Sequence, residues 1–154
     1  MKFNRKMAGV LAVSVLLAAL AGCDNKKEES KTFALNTNGV ELSFTYHYDG
    51  DKVLRQDADN TIPYKSIGAE NKEQARAIIE PISSVYRNLQ GVEQTIDYKD
   101  SYALEHLTVD FSKAKISELC KLPGSMFTDC SQQFVSLSVS TKLLESQGFK
   151  EAKK

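Results

Sequence analysis

Cysteine and histidine are the scarcest reactive side chains in the sequence, three and two among 154 residues, and their neighbours decide what chemistry each could do. Cys23 ends the segment Leu20-Ala21-Gly22-Cys23. It follows an apolar run from Met7 to Ala21 that is broken only by Ser14 and preceded by Lys2, Arg5 and Lys6. Small residues ahead of a cysteine leave the backbone open to a processing peptidase, and the thiol is the atom that accepts a diacylglycerol. The segment therefore reads as a lipobox, with Cys23 as the lipidation site. The alternative is an ordinary signal peptide in which Cys23 is incidental. Fifteen helical residues reach about 22 Å against a hydrocarbon core of roughly 30 Å, so a permanent membrane span is not expected.

Acylation of Cys23 leaves Cys120 and Cys130, an even pair outside the cytoplasm, which predicts a disulfide. Two free thiols are the other possibility. The Pro123-Gly124 turn between them would help to bring the ends together. His47 lies between Tyr46 and Tyr48 on the polar side of an alternating segment, and His106 lies in a second one. No HExxH or CxxC spacing accompanies either, so each is expected to be a solvated or hydrogen-bonded histidine, and no metal or other cofactor is expected. Asp57-Ala58-Asp59-Asn60 resembles the start of a calcium loop but places Ile62 where glycine is needed and Gly68 where a bidentate glutamate is needed. Asp49 and Asp51 around Gly50 read as turn residues. There is no GxSxG elbow, and all eight glycines stand alone, so no local motif supports a Ser hydrolase or a phosphate-binding loop. Carboxylates that are distant in sequence remain the one enzymatic option.

The chain is 42% hydrophobic and 26% charged, with 20 basic and 20 acidic side chains, a globular composition that gives no basic field for nucleic acid. Residues 1–22 are expected to be a signal peptide. They hold three basic and no acidic side chains, so the remaining 132 residues carry 17 basic against 20 acidic ones. Residues 23–30 are expected to be the lipidated cysteine and a flexible polar tether, and 31–154 the folded domain. Two or three acyl chains would hold such a protein stably on a membrane. Asp24 directly after the cysteine resembles the signal that retains lipoproteins at the inner membrane, facing the periplasm, in a Gram-negative envelope.

The elements that must position these residues follow from periodicity. Val40, Leu42, Phe44, Tyr46 and Tyr48 alternate with polar residues, which predicts a half-buried strand. Asn38-Gly39 predicts a hairpin to 31–36, and Asp49-Gly50-Asp51 a turn into a third strand over 52–56. A fourth, short strand is expected over 61–66, at an edge because of Pro63. From Asn71 the spacing changes to three and four: Ala75, Ile78, Ile79, Ile82, Val85, Tyr86 and Leu89 form an apolar stripe of a helix that Gly91 would end. Pro81 predicts a kink or break near Glu80. Strands are expected over 92–98 and 102–111, and helices over 115–121 and 138–147, the latter closed by Gly148. Most of the six tyrosines, Tyr46, Tyr48, Tyr64, Tyr86, Tyr98 and Tyr102, occupy positions that these patterns assign to the core. No strand-helix-strand unit repeats, so the expected fold is α+β: one domain with an antiparallel sheet from two strand groups and helices packed on one face.

The segments Gly50-Asp51-Lys52-Val53-Leu54, Ser66-Ile67-Gly68-Ala69, Gly91-Val92-Glu93 and Gly148-Phe149-Lys150-Glu151, together with the lipobox cysteine, stand in an order that resembles the YehR-like bacterial lipoproteins. The resemblance runs to about Phe111 and resumes at the closing segment. It implies an α+β lipoprotein and transfers one functional position, the lipidated Cys23. The resulting expectation is a non-enzymatic envelope lipoprotein, anchored through its acyl chains, that binds a partner protein or a small envelope ligand. An envelope hydrolase, or another enzyme using dispersed carboxylates or a histidine, is the alternative.

Overall fold

The structure, a computed structural model, describes residues 28–127 and 129–153. The signal segment and Cys23 lie outside them. Three strands come first: β1 (Glu29–Thr37), β2 (Val40–Asp49) and β3 (Lys52–Pro63). A 3-10 turn over Tyr64–Ile67 leads into helix α1 (Lys72–Arg87). Strands β4 (Val92–Tyr98) and β5 (Tyr102–Asp110) follow, then the short helix α2 (Ile116–Leu119), β6 (Val135–Ser136), helix α3 (Leu137–Ser146) and β7 (Lys150–Glu151). All pairings are antiparallel, in the order β4-β5-β3-β2-β1-β7, with β6 beside the start of β3. This is the α+β architecture expected, with both longer helices on the same face of the sheet.

The β1–β2 hairpin turns at Asn38 and Gly39, whose φ angles of 51° and 81° suit the right-handed twist of the strands. Pairing of β1 begins at Glu29, opposite Tyr48, so Glu29 and Ser30 belong to the sheet and not to a tether that ends at residue 30. A larger correction concerns β3. The segments expected as a third strand and a fourth edge strand are one strand of twelve residues at the centre of the sheet, between β2 and β5. Its polar middle, Asp57 to Asn60, is a continuation of the alternation: Asp57 and Asp59 face the uncovered side, while Ala58 pairs with Phe44 and Leu107 on the covered side. Pro63 is tolerated because it is the last residue of the strand.

Helix α1 runs through Pro81 without a break. Its N-cap is Asn71, whose side chain accepts from the Gln74 amide at 2.9 Å. Next to the proline, Arg87 bonds Glu80 at 2.6 Å and Ser84 donates to the Pro81 carbonyl at 2.9 Å. Gly91, with φ of 77°, ends the connection to β4, and a Cβ there would stand 2.7 Å from the Ala114 nitrogen. Helix α3 is held at its N-terminus by the hairpin tip between β2 and β3. Asp51 accepts from the Ser136 hydroxyl at 2.7 Å and the Ser138 amide at 2.8 Å, and those bonds, Ser136 first, hold its carboxyl below the ordinary value.

Three apolar clusters fill the covered face, the first and third bridged by Phe111 and Phe127. One gathers Phe33, Tyr46, Val53, Leu144 and Phe149 under α3. A second joins Tyr64, Ala75, Tyr98 and Ala103 at the start of α1. The third joins Val92, Val109, Leu119 and Leu122 around α2. Tyr46, Tyr48, Tyr64 and Tyr98 are core residues, whereas Tyr86 is half-buried and Tyr102 lies at the surface. Part of the α1 stripe departs from expectation in the same way: Ile78, Ile82 and Val85 are 41%, 47% and 42% exposed, because no element covers that side of the helix fully.

Candidate functional site

The clusters meet at Phe111 and Phe127 but leave a gap elsewhere. Between them lies a cleft of about 400 Å³, within the size range of small-molecule sites. Its floor is the covered face of the sheet, where the small Ala58 side chain leaves room between Phe44 and Leu107. One wall is α1, through Ile78, Ile79, Ile82, Ser83 and Tyr86, and the opposite wall is α3, through Ser140, Leu143 and Leu144. Gly124 to Phe127 close one end.

That end belongs to a loop tied down twice. Cys120 and Cys130 are bonded in the structure, with their Cα atoms 5.7 Å apart, a separation typical of a disulfide. The Tyr86 hydroxyl donates to the Pro123 carbonyl at 2.7 Å, joining α1 to the same loop. Burial, with Glu105 nearby, pushes the Tyr86 phenol up, so it stays a donor at any ordinary pH. Tyr46 is pushed up to about 12 by burial, partly offset by its bond with Ser140, and this pair forms a polar point at the α3 side.

A second polar point sits on the floor. Asn60, Gln94 and Glu105 come from three neighbouring strands, β3, β4 and β5, with Asn60 directly opposite Glu105. Asn60 Nδ2 donates to Glu105 Oε2 at 2.7 Å, and Gln94 Nε2 donates to Oε1 of the same carboxylate. The other atom of each amide, Asn60 Oδ1 and Gln94 Oε1, is buried and accepts nothing. Each buried acceptor left without a donor costs about 1–3 kcal/mol, an expense that protein cores ordinarily avoid. Sequence reasoning missed these residues, although a signal was present. Each stands in the apolar register of its strand: Asn60 between Ala58 and Ile62, Gln94 between Val92 and Ile96, and Glu105 between Ala103 and Leu107.

The histidines are elsewhere, on the uncovered face. His47 lies between two carboxylates, 2.9 Å from Glu28 and 2.9 Å from Asp57, with Arg55 3.0 Å away. His106 bonds Asp59 at 2.7 Å. Thr108 donates to Asp57 at 2.8 Å. Burial pushes the Asp57 carboxyl up, but Thr108, Arg55 and His47 together outweigh it and hold the group below its ordinary value. These side chains form a ladder of hydrogen bonds across β2, β3 and β5, and Asp59 and His106 also line a second depression, of about 730 Å³, on this face. The suspected calcium-loop residues Asp57 and Asp59 are members of this ladder, and Asp49 and Asp51 stand at the β2–β3 turn.

The sequence model of a family described as a protein of unknown function, DUF1307, matches residues 29–150. The chain belongs to the DUF1307 family. The match takes in Ser112 to Thr141, the stretch that the sequence resemblance left out. Among relatives of this DUF1307 chain, an uncharacterized lipoprotein of Listeria innocua is 43% identical over 154 residues, the whole of both chains. The uncharacterized lipoprotein YehR of Escherichia coli is 39% identical over 99% of this chain and all of its own. An NMR structure of YehR superposes with a TM-score of 0.74 at 38% identity, covering 84% of this chain and 94% of that one. An NMR structure of a Streptococcus pneumoniae protein shares the fold at 13% identity, with a TM-score of 0.55, covering 97% of this chain and 99% of that one.

Proposed function

We propose that this protein is a lipid-anchored envelope lipoprotein whose domain holds a small, largely apolar ligand in the cleft between α1 and α3, without chemical conversion of it. The observation that carries the binding reading is the cleft itself: apolar walls from α1 and α3 that stop short of closing, over a floor that includes Asn60, Gln94 and Glu105. Cys23 is the proposed anchor, supported by Leu20-Ala21-Gly22 ahead of it and by the names of the relatives. The Cys120–Cys130 bond is proposed to hold the cleft's end loop in the oxidising envelope.

Binding is tested with the mature chain carrying Cys23→Ser and a neutral fluorophore that brightens in apolar surroundings. One saturable site is expected, and Ala58→Leu, which places a larger side chain on the cleft floor, should weaken it by at least about tenfold. Equal binding by the Ala58→Leu chain would remove the cleft from consideration. Anchoring is tested in cells: Cys23→Ser should leave the protein soluble or unprocessed, and a mutant that is cleaved normally yet stays on the membrane would contradict the lipobox.

A further inference from the structure

We infer that the cleft selects an amphiphile whose apolar body ends in a primary ammonium group, seated against Glu105, over neutral and carboxylate-bearing counterparts. This rests on the cleft being a ligand site.

A carboxylate can only accept hydrogen bonds. Asn60 and Gln94 therefore have to present their NH2 groups to Glu105, and in doing so they turn their carbonyl oxygens away from it. Both of those oxygens are buried and without a donor. The polar patch on the floor thus presents to the cleft no free donor, only the lone pairs that half-buried Glu105 has left, with the two buried amide carbonyls beside it. Among the described residues, no Lys, Arg or His stands within ion-pair distance of Glu105, and the Tyr86 hydroxyl nearby is committed to Pro123. The side chains around the patch are apolar, Ile62, Ile79 and Leu107 among them.

A carboxylate paired only with neutral amides in such surroundings attracts a cation more strongly than it would in water, and repels an anion for the same reason. An ammonium carries donors and no acceptor, which matches a patch that presents the Glu105 carboxylate and no free donor. The rest of the cleft, about 400 Å³ walled by isoleucine and leucine, suits an aliphatic body. A fatty acid would bring a second carboxylate to Glu105 with no donor to receive it, so selectivity comes from repulsion as much as attraction.

The test uses the mature Cys23→Ser chain and three probes of equal length, decylammonium, decanol and decanoate, titrated calorimetrically below their micelle concentrations. Decylammonium should bind about tenfold more tightly than decanol or better, with decanoate weakest. Glu105→Gln should bring decylammonium to within about threefold of decanol on the same variant, with a cooperative thermal melt showing that the variant is folded. The inference is overturned if decanoate equals or exceeds decylammonium, or if the amine preference survives Glu105→Gln. Three equal affinities would overturn it while leaving the cleft as a binding site; no binding by any probe would overturn both. Should Glu105→Gln not fold, the ranking of the three probes on the parent chain decides.

Discussion

Along β3, successive residues meet opposite fates. Asp57 and Asp59 point to the uncovered face, where Thr108, His47, Arg55 and His106 supply partners at 2.7–3.3 Å. Asn60, one residue further, points to the covered face and keeps a buried oxygen without a donor. The side open to water has its polar groups bonded, although water could have served them, whereas the side closed to water leaves two of them unserved. The histidines and aspartates that look chemical in the sequence bond to one another and to their strand neighbours. The candidate site is made of an asparagine, a glutamine and a glutamate placed where leucines would pack.

If the covered face is a site held open by its surroundings, changes to those surroundings should cost far more than changes to the ladder outside. Gly91 gives the largest effect. Its φ of 77° and the 2.7 Å approach of the Ala114 nitrogen leave no place for a Cβ, so Gly91→Ala should lower stability by about 3 kcal/mol or more, roughly 10 °C in melting temperature. A shift under about 3 °C would mean that the segment entering the α2 region yields easily.

The disulfide comes next. Cys120 and Cys130 are separated by ten positions, and closing a loop of that size contributes about 3 kcal/mol on the chain-entropy account, less where the native geometry is strained. Reductant should lower the melting temperature by up to about 10 °C and weaken cleft binding, and Cys120→Ser should make the protein indifferent to reductant. Two alkylatable thiols on protein isolated from the envelope would exclude the bond.

On the uncovered face the effects are small. The folded-state pKa of Asp57 lies below its ordinary value, so its contribution is complete above the unfolded pKa of about 3.9 and is lost as the pH falls through the lower folded value. Between about pH 5 and pH 2, Asp57→Asn should therefore lose less stability than the parent, by about 1 kcal/mol or less, with no change in cleft binding. Acid melting curves of the two proteins give this directly. A loss of binding in Asp57→Asn would erase the distinction between the faces.

The sequence made some of this legible and hid the rest for physical reasons. Alternation is a local signal, so β2, β4 and β5 and the Asn38-Gly39 turn could be read within a residue or two of their ends. The same reading split β3, since Asp57 to Asn60 resembles a polar loop unless the ladder that binds it is known. β6 and β7 are two residues each and exist only because β3 and β1 offer edges to pair with. The helical spacing of α1 was visible, but how much of its stripe is covered depends on elements far away in sequence. Asn60, Gln94 and Glu105 were visible one by one as polar residues in apolar registers. Their meeting depends on β5 inserting between β3 and β4, an order that no local pattern specifies.

The account stands on the covered face being the place where a ligand sits. Amide chemical-shift mapping of the mature Cys23→Ser chain with decylammonium tests that most directly, because both faces of the sheet are monitored in one titration. Saturating shifts are expected at Ala58, Glu105, Leu107, Ile79 and Phe127, with Thr32 and His47 on the far side of β1 and β2 unmoved. Shifts centred on His47 and His106, or none at saturating probe, would contradict it.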